Sequence, residues 1–385
     1  MKQCSSCKGR GFCGLARCPV TSRFYASLAV KTSSEYTGSA PSVFIGTAGH
    51  PRPRGGPLMV GENDNPEDWM RRQLSMDDIV GVRARTIRGV SGQGAAMLPL
   101  QEIALSGRPV DVDVAFEKPV RFDLSFDGTL APVGLLGTIR TLTVLDNAHV
   151  ERSVDRITSD TDFKAVDAVR ELYREGVDVH RIQQLLSTGL LGVRRKIVPT
   201  RWAITAVDDM IAQGTKRLIR QNSRADCIRI HSTTLFGNQI ICLLIPGNWA
   251  FEMIEIWEPD SLWGGQEPSI TRDGEDERGK RGYSPIAGAY YSARLAVLDH
   301  LARTGRSASA VVIRRVTQEY WAPLGTWVIR EASRAALNKN GQECPDLGTA
   351  SDAVTELLGS PQWRMHSTLI GRMISQKSLF DFIPG

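Results

Sequence analysis

The sequence predicts an α+β protein: a mixed body of helices and strands, preceded by a small N-terminal zinc knuckle and followed by a flexible C-terminal tail. Three observations carry that expectation. Four cysteines crowd into residues 4–18. From residue 41 onward, apolar residues recur with period two in some stretches and period 3.6 in others, without a regular βαβ alternation. The last ten residues hold a short Leu-Phe-Asp-Phe-Ile run set among polar neighbours.

Bulk properties bound what these features can mean. A chain of 385 residues, 42% hydrophobic and 23% charged, has the composition of an ordinary globular protein, with length for one large core or two domains. No apolar run is long enough to cross a membrane, and Met1-Lys2-Gln3 leads straight into cysteines where a secretory leader would place an apolar stretch. The expected compartment is the cytoplasm, where clustered cysteines serve more often as metal ligands than as disulfides. A formal charge of +5 is modest, but residues 1–60 carry eight Lys/Arg against the single acid Glu35. Part of that excess would offset metal-bound thiolates, and the remainder is available to phosphate.

The cysteine cluster reads Cys4-x2-Cys7-x5-Cys13-x4-Cys18, interleaved with Gly9, Gly11 and Gly14. Four soft ligands on a glycine-containing loop suit a tetrahedral Zn²⁺ with Zn–S bonds of about 2.3 Å, in a closed structural site. Cys18-Pro19 also fits an iron–sulfur ligand set, and unligated thiols are the third reading. Cys227, Cys242 and Cys344 are scattered and read as ordinary buried thiols. Residues 20–40 are rich in Ser and Thr and read as a loop or short helix, so that 1–40 forms knuckle and linker.

The body is expected over 41–370, with 371–385 as the tail. Ser42–Gly46 is a short apolar strand running into the Gly/Pro-rich segment 47–57, where Arg52 and Arg54 either contact phosphate or are simply solvated. The segment matches neither a P-loop nor a dinucleotide fingerprint. Asp68–Leu74 reads as helix; Val80–Ile87, Val110–Phe116 and Val120–Phe126 alternate and read as strands. Residues 161–192 carry helical periodicity with stop signals at Gly189 and Gly192, and a break between subdomains would fall near 150–195.

Within sixteen residues follow the basic run Arg194-Arg195-Lys196, the triplet Thr200-Arg201-Trp202 and the pair Asp208-Asp209. Arginine beside tryptophan suits a phosphate plus a base, and two carboxylates suit a second divalent ion. A plain reading stands beside it: Pro199-Thr200 starts a helix, Trp202 is core, and the aspartates cap a turn. Gln239–Pro246 reads as a central strand. In Phe251–Glu258, Glu252 and Glu255 share a side if the segment is a helix and oppose each other if it is a strand. Arg272–Arg278 reads as a solvated acidic loop, Gly288–His300 as helix and Ala310–Val316 as strand.

Taken together, Cys4/Cys7/Cys13/Cys18, Val43–Leu58, Val198–Asp209, Phe251–Trp257, Gly288–Arg294 and Tyr320–Glu331 resemble, in the same order, the Nre family of archaeal DNA repair proteins. The chain departs from the family pattern at Gly49-His50-Pro51, commonly Gly-Tyr-Pro, and at Ala203, commonly serine. The resemblance implies a DNA repair factor that binds zinc and DNA, works with other repair proteins and sits at the nucleoid. The tail agrees with it: Gln376-x-x-Leu379-x-x-Phe382-Ile383 looks like a peptide that docks on the PCNA sliding clamp. A single helical turn would place Leu379, Phe382 and Ile383 on one side as an apolar plug, with Gln376 at its rim. Whether the chain is an enzyme is open at this point. One alternative is a metal- or nucleotide-dependent, nuclease-like enzyme using Arg201, Trp202, Asp208, Asp209, Glu252 and Glu255; a weaker one is an RNA-processing factor.

Overall fold

The computed structural model describes residues 18–28, 30–91, 97–122, 134–262 and 264–375. Cys4, Cys7, Cys13 and the tail residues Gln376, Leu379, Phe382 and Ile383 lie outside the described residues. The chain divides into two compact units, one comprising 1–211 with 322–324, the other 212–321 with 325–385. The division falls inside a single helix, after Ile211.

In the first unit, a helix α1 (Pro19–Ser27) precedes the strands β1 (Glu35–Ala40), β2 (Ser42–Ile45) and β3 (Gly55–Met59). The stretch 20–40, expected as linker, therefore supplies an edge strand of the body's sheet: β1 pairs antiparallel with β5 (Val110–Phe116). The alternation of Val110, Val112, Val114 and Phe116 inward with Asp111 and Asp113 outward is the period-two pattern read from the sequence. Between β3 and β5 stand α2 (Pro66–Arg71), α3 (Met76–Arg85), β4 (Ile87–Val90) and α4 (Met97–Leu105).

The strand expected over Val80–Ile87 is corrected here, since helix α3 runs to Arg85 and only Ile87 begins a strand. A capping box decides it. Ser75 Oγ accepts the Asp78 amide, while the Asp78 carboxylate accepts the Ser75 amide at 2.9 Å. The Ser75 hydroxyl, 2.6 Å from the Asp78 carboxylate, and then the Ser75 amide hold the Asp78 carboxyl below its usual pKa. With the helix nucleated there, Met76, Ile79, Val80, Val82 and Ala84 turn into the core. The strands β6 (Arg121–Phe122) and β7 (Leu135–Val144) complete a mixed sheet of order β1-β5-β7-β4-β3-β2, with β6 on β7. Of the strand expected over 120–126, only Arg121 and Phe122 are found in a strand among the described residues. Gly56 of β3 meets β4 so closely that a Cβ there would lie 1.9 Å from the Gly89 carbonyl oxygen.

Three helices follow: α5 (Arg152–Ser159), α6 (Ala165–Arg174) and α7 (Val179–Ser187). The glycine stop expected for the last of these is present. Gly189 takes φ +73°, and the Leu190 amide reaches back to the Leu185 carbonyl at 2.9 Å. Helix α8 (Thr200–Ile219) then spans the division between the units.

The second unit holds β8 (Ser223–Arg224), β9 (Ile228–Leu235), β10 (Asn238–Pro246), β11 (Ala250–Trp257), β12 (Ser269–Glu275), α9 (Gly288–Thr304), β13 (Arg306–Val316), α10 (Trp327–Leu337) and β14 (Gln342–Cys344). It ends in α11 (Leu347–Leu358), α12 (Gln362–His366) and α13 (Thr368–Ser375). The sheet order is β12-β11-β13-β10-β9-β14, with β8 beside β13; β11 and β13 run parallel. Ile241, Leu243, Ile245, Ile254, Ile256, Val311 and Ile313 pack against Val354, Leu358, Trp363, Leu369 and Ile370 of the C-terminal helices. Helix α9 packs on β13 and α10 on β10 as well, which is why those strands read as unbroken apolar runs.

The acidic loop expected over Arg272–Arg278 is also corrected. Residues up to Glu275 form β12, paired antiparallel with β11 so that Glu275 stands opposite Phe251. Its carboxylate is fully buried and accepts hydrogen bonds from Trp249 Nε1 (3.0 Å), Lys216 Nζ (3.3 Å) and Arg294 Nη1 (2.7 Å).

Candidate nucleic-acid interface

The β2–β3 hairpin brings the expected arginines to its tip. Ile45 pairs with Gly55, and the Gly46 amide bonds the Arg54 carbonyl at 2.9 Å, so residues 47–53 project as a closed loop. Gly49 takes φ +83°, a backbone conformation that glycine adopts without strain, and the Arg52 amide bonds its carbonyl at 2.8 Å. Pro53 turns inward, whereas His50, Arg52 and Arg54 are exposed.

The start of α8 is fastened to the same hairpin. Ser187 Oγ donates to the Val198 carbonyl (2.7 Å) and lies 3.1 Å from Thr200 Oγ1, and Thr200 Oγ1 in turn accepts the Ile45 amide at 2.9 Å. These bonds tie the end of α7, the approach to α8 and the end of β2 into one knot. Arg201 and Trp202, one step into the helix, consequently lie next to the loop. The His50 and Trp202 rings meet with centroids 4.9 Å apart at an interplanar angle of 58°. Trp202, which a plain reading would bury, retains 47% of its surface in solvent. The loop that holds Arg52 and Arg54 and the helix start that holds Arg201 and Trp202 lie far apart in the chain, and the fold joins them through His50 and Trp202.

The basic run divides. Arg194 and Lys196 are exposed. Arg195, expected as a further phosphate contact, is engaged internally: its guanidinium donates to the carbonyls of Leu190, Thr158 (2.7 Å) and Asp160 (2.9 Å). Among the described residues, none of Arg52, Arg54, Arg194, Lys196 and Arg201 has a carboxylate partner.

The carboxylates considered for catalysis are arranged differently. Asp208 is fully buried on α8 and Asp209 half-buried, both engaged with neighbours. Glu252 and Glu255 lie on a strand, three residues apart, and therefore face opposite sides of the sheet. Glu252 accepts hydrogen bonds from the Thr368 amide (2.9 Å), Thr368 Oγ1 (2.7 Å) and Ser367 Oγ (2.5 Å), so it caps the start of α13. Glu255 accepts Arg314 Nη1 (2.6 Å) and Trp257 Nε1 (2.8 Å), while Arg314 also holds the Asn238 side-chain oxygen. Both glutamates complete buried structural networks. Among the described residues no group of three or more His, Cys, Asp or Glu is placed to hold a metal ion. Cys18 is half-buried immediately ahead of α1. No helix is long and apolar enough to cross a membrane among the described residues.

Comparison with known proteins covers nearly the whole chain. Residues 12–264 match the family described as archaeal Nre, N-terminal, and residues 275–382 match archaeal Nre, C-terminal. The DNA repair protein NreA of Archaeoglobus fulgidus is 32% identical over 99% of both chains. NreA of Haloferax volcanii is 34% identical over 92% of this chain and 90% of its own, and NreB of A. fulgidus is 33% identical over 99% and 100%. No solved structure gives a significant match.

Proposed function

The chain belongs to the archaeal Nre family of DNA repair proteins, and on that premise we propose that it is a repair factor that binds DNA through the face where loop 46–54 meets the start of α8, and that its tail ties it to the PCNA sliding clamp. The observation that carries the DNA contact is the meeting of the half-exposed Trp202 with His50, a residue of the same loop as the exposed Arg52 and Arg54, while the exposed Arg201 precedes Trp202 in the helix. Guanidinium groups bind phosphate oxygens in bidentate fashion, and an open indole face accepts a base.

The tail reading rests on the spacing of Gln376, Leu379, Phe382 and Ile383. An aliphatic and an aromatic residue presented on one turn suit an apolar clamp pocket. Cys4, Cys7, Cys13 and Cys18 are suited by chemistry to a structural zinc, because four thiolates complete a tetrahedron and leave no open position for substrate. Bound there, the ion would fold the N-terminal segment and neutralise part of its thiolate charge.

A binding factor that recruits other repair proteins accounts for these features better than a nuclease-like enzyme relying on a second divalent ion. The support is specific: Glu252 and Glu255 stand on opposite faces of β11, and each already receives several donors.

Calorimetry with purified PCNA tests the recruitment, comparing the intact chain with one ending at Ile374. Binding by the intact chain alone supports the clamp reading; equal binding, or none by either form, removes it. Metal analysis of the purified protein tests the knuckle, with one zinc per chain expected and loss of the metal in Cys4→Ser/Cys7→Ser.

A further inference from the structure

We infer that the Trp202–His50 pair is a stacking platform for an unpaired base, so that this face takes single-stranded DNA in preference to duplex. The inference deepens the DNA-binding reading above and rests on it.

Three observations support it. The first is the exposure of Trp202. A tryptophan near the start of a 20-residue helix has ample opportunity to bury itself, yet 47% of its surface stays in solvent. His50 meets the indole at a tilt of 58° with ring centroids 4.9 Å apart, and close to half of the residue's surface stays accessible. Second, the backbone that carries the indole is held in place. Thr200 is fastened to both Ile45 and Ser187, and the Trp202 amide bonds the Pro199 carbonyl at 2.8 Å. A platform whose backbone is already ordered loses less entropy when a base stacks on it. Third, the exposed cations flank the ring on both of its approaches in the chain: Arg52 and Arg54 on the loop that carries His50, Arg201 next to Trp202, and Arg194 with Lys196 just ahead of the helix.

A stacking aromatic inside a basic track is the arrangement that binds single strands with little sequence preference, since every base offers a π face. In a duplex those faces are already covered by neighbouring base pairs. The indole then has nothing to stack on, and only the cations contribute. Single-stranded DNA should therefore gain from both components, and duplex from one.

The test is fluorescence anisotropy on the intact protein with labelled oligothymidylate, a mixed-sequence duplex of equal length, and oligouridylate. Trp202→Ala should weaken oligothymidylate binding about tenfold and leave duplex binding within about twofold. Trp202→Phe, which keeps an aromatic face, should restore most of the affinity. Removing both Arg52 and Arg54 by alanine substitution should weaken both ligands and flatten the salt dependence for the single strand, by about 0.7 in log–log slope for each phosphate no longer neutralised. Since Trp202 is exposed, the variants should melt like the parent.

Unchanged oligothymidylate affinity in Trp202→Ala, with duplex binding intact, would overturn the platform and leave the DNA-binding reading standing. Failure of the intact protein to bind any DNA would remove both. Tighter binding of oligouridylate than of oligothymidylate would overturn the assignment to DNA and favour an RNA ligand.

Discussion

Glu275 offers the sharpest check on the internal architecture. By sequence it belongs to an acidic, solvated stretch; in the fold its buried carboxylate is the counter-charge for Lys216 and Arg294 and the acceptor for Trp249 Nε1. The side-chain exposures of Glu275, Lys216 and Arg294 are 0%, 6% and 1%. Substitution Glu275→Ala leaves two buried cations facing each other and an indole N–H without its acceptor. Removing one partner of a buried ion pair costs about 3–5 kcal/mol, and the orphaned N–H adds to that within the same range. The site also seats an aromatic group, with Trp249 stacked on Phe251 at 5.9 Å and Tyr290 edge-on to Phe251 at 5.1 Å, so relaxation there would spread. With a urea dependence of about 2 kcal/mol/M, a loss near 4 kcal/mol lowers the midpoint by about 2 M. Urea unfolding followed by tryptophan fluorescence measures it. Glu275→Gln should fall between the parent and the alanine variant, because the amide still offers an acceptor but no charge. The exposed neighbour in Glu277→Ala should stay within about 0.5 kcal/mol of the parent. If Glu275→Ala shifts the midpoint no more than Glu277→Ala does, the buried network is not what holds β12 against the sheet.

Three further outcomes are expected. Glu252→Gln removes the charge that caps α13 and should cost about 1–2 kcal/mol; amides of Thr368–Ser375 should exchange at least several-fold faster, and unchanged protection would contradict the capping role. Burial and the neighbouring His231 hold the His300 imidazole down at about 4, against an ordinary 6.5. The unfolded chain therefore takes up this proton first as pH falls, so stability should be lost between about pH 6.5 and 4, by about 1–2 kcal/mol once partial solvation is allowed for. Thermal melts of the parent and His300→Gln at pH 7 and 5 measure it, and parallel losses in both would rule His300 out as the source. Gly56→Ala would drive a methyl group to within 1.9 Å of the Gly89 carbonyl oxygen. It should destabilise the first unit by about 3 kcal/mol, the upper end of the usual cost of overpacking, and a parent-like melt would refute the close approach of β3 and β4.

The elements legible in the sequence are those whose pattern is local. Val110–Phe116 alternates because one face of its strand meets the core; Gln239–Pro246 is continuously apolar because helices cover both faces of its sheet; the helix after residue 178 stops where Gly189 supplies a left-handed residue. Family membership was legible too, because it rests on the order of short segments along the whole chain. The misread elements are those in which a local rule competed with another. Val80–Arg85 alternates as a strand would, but the Ser75–Asp78 capping box sits just upstream and nucleates a helix. Arg272–Glu275 is too charged to read as a strand, yet its charges are neutralised by residues outside the strand: Lys216 and Arg294 for Glu275, and Lys280 for Asp273.

The candidate interface divides along the same line. That Arg52, Arg54, Arg201 and Trp202 are the residue types for phosphate and base was determined by the sequence alone. That Trp202 is exposed, that it rests on His50, that Arg195 turns inward, and that Glu252 and Glu255 serve the core was decided only by tertiary structure. Residue type sets what a side chain can bind. Which surface it shares, and whether its charge is already neutralised, depends on contacts between residues as far apart in the chain as Ile45 and Thr200, whose amide and hydroxyl are joined by a hydrogen bond.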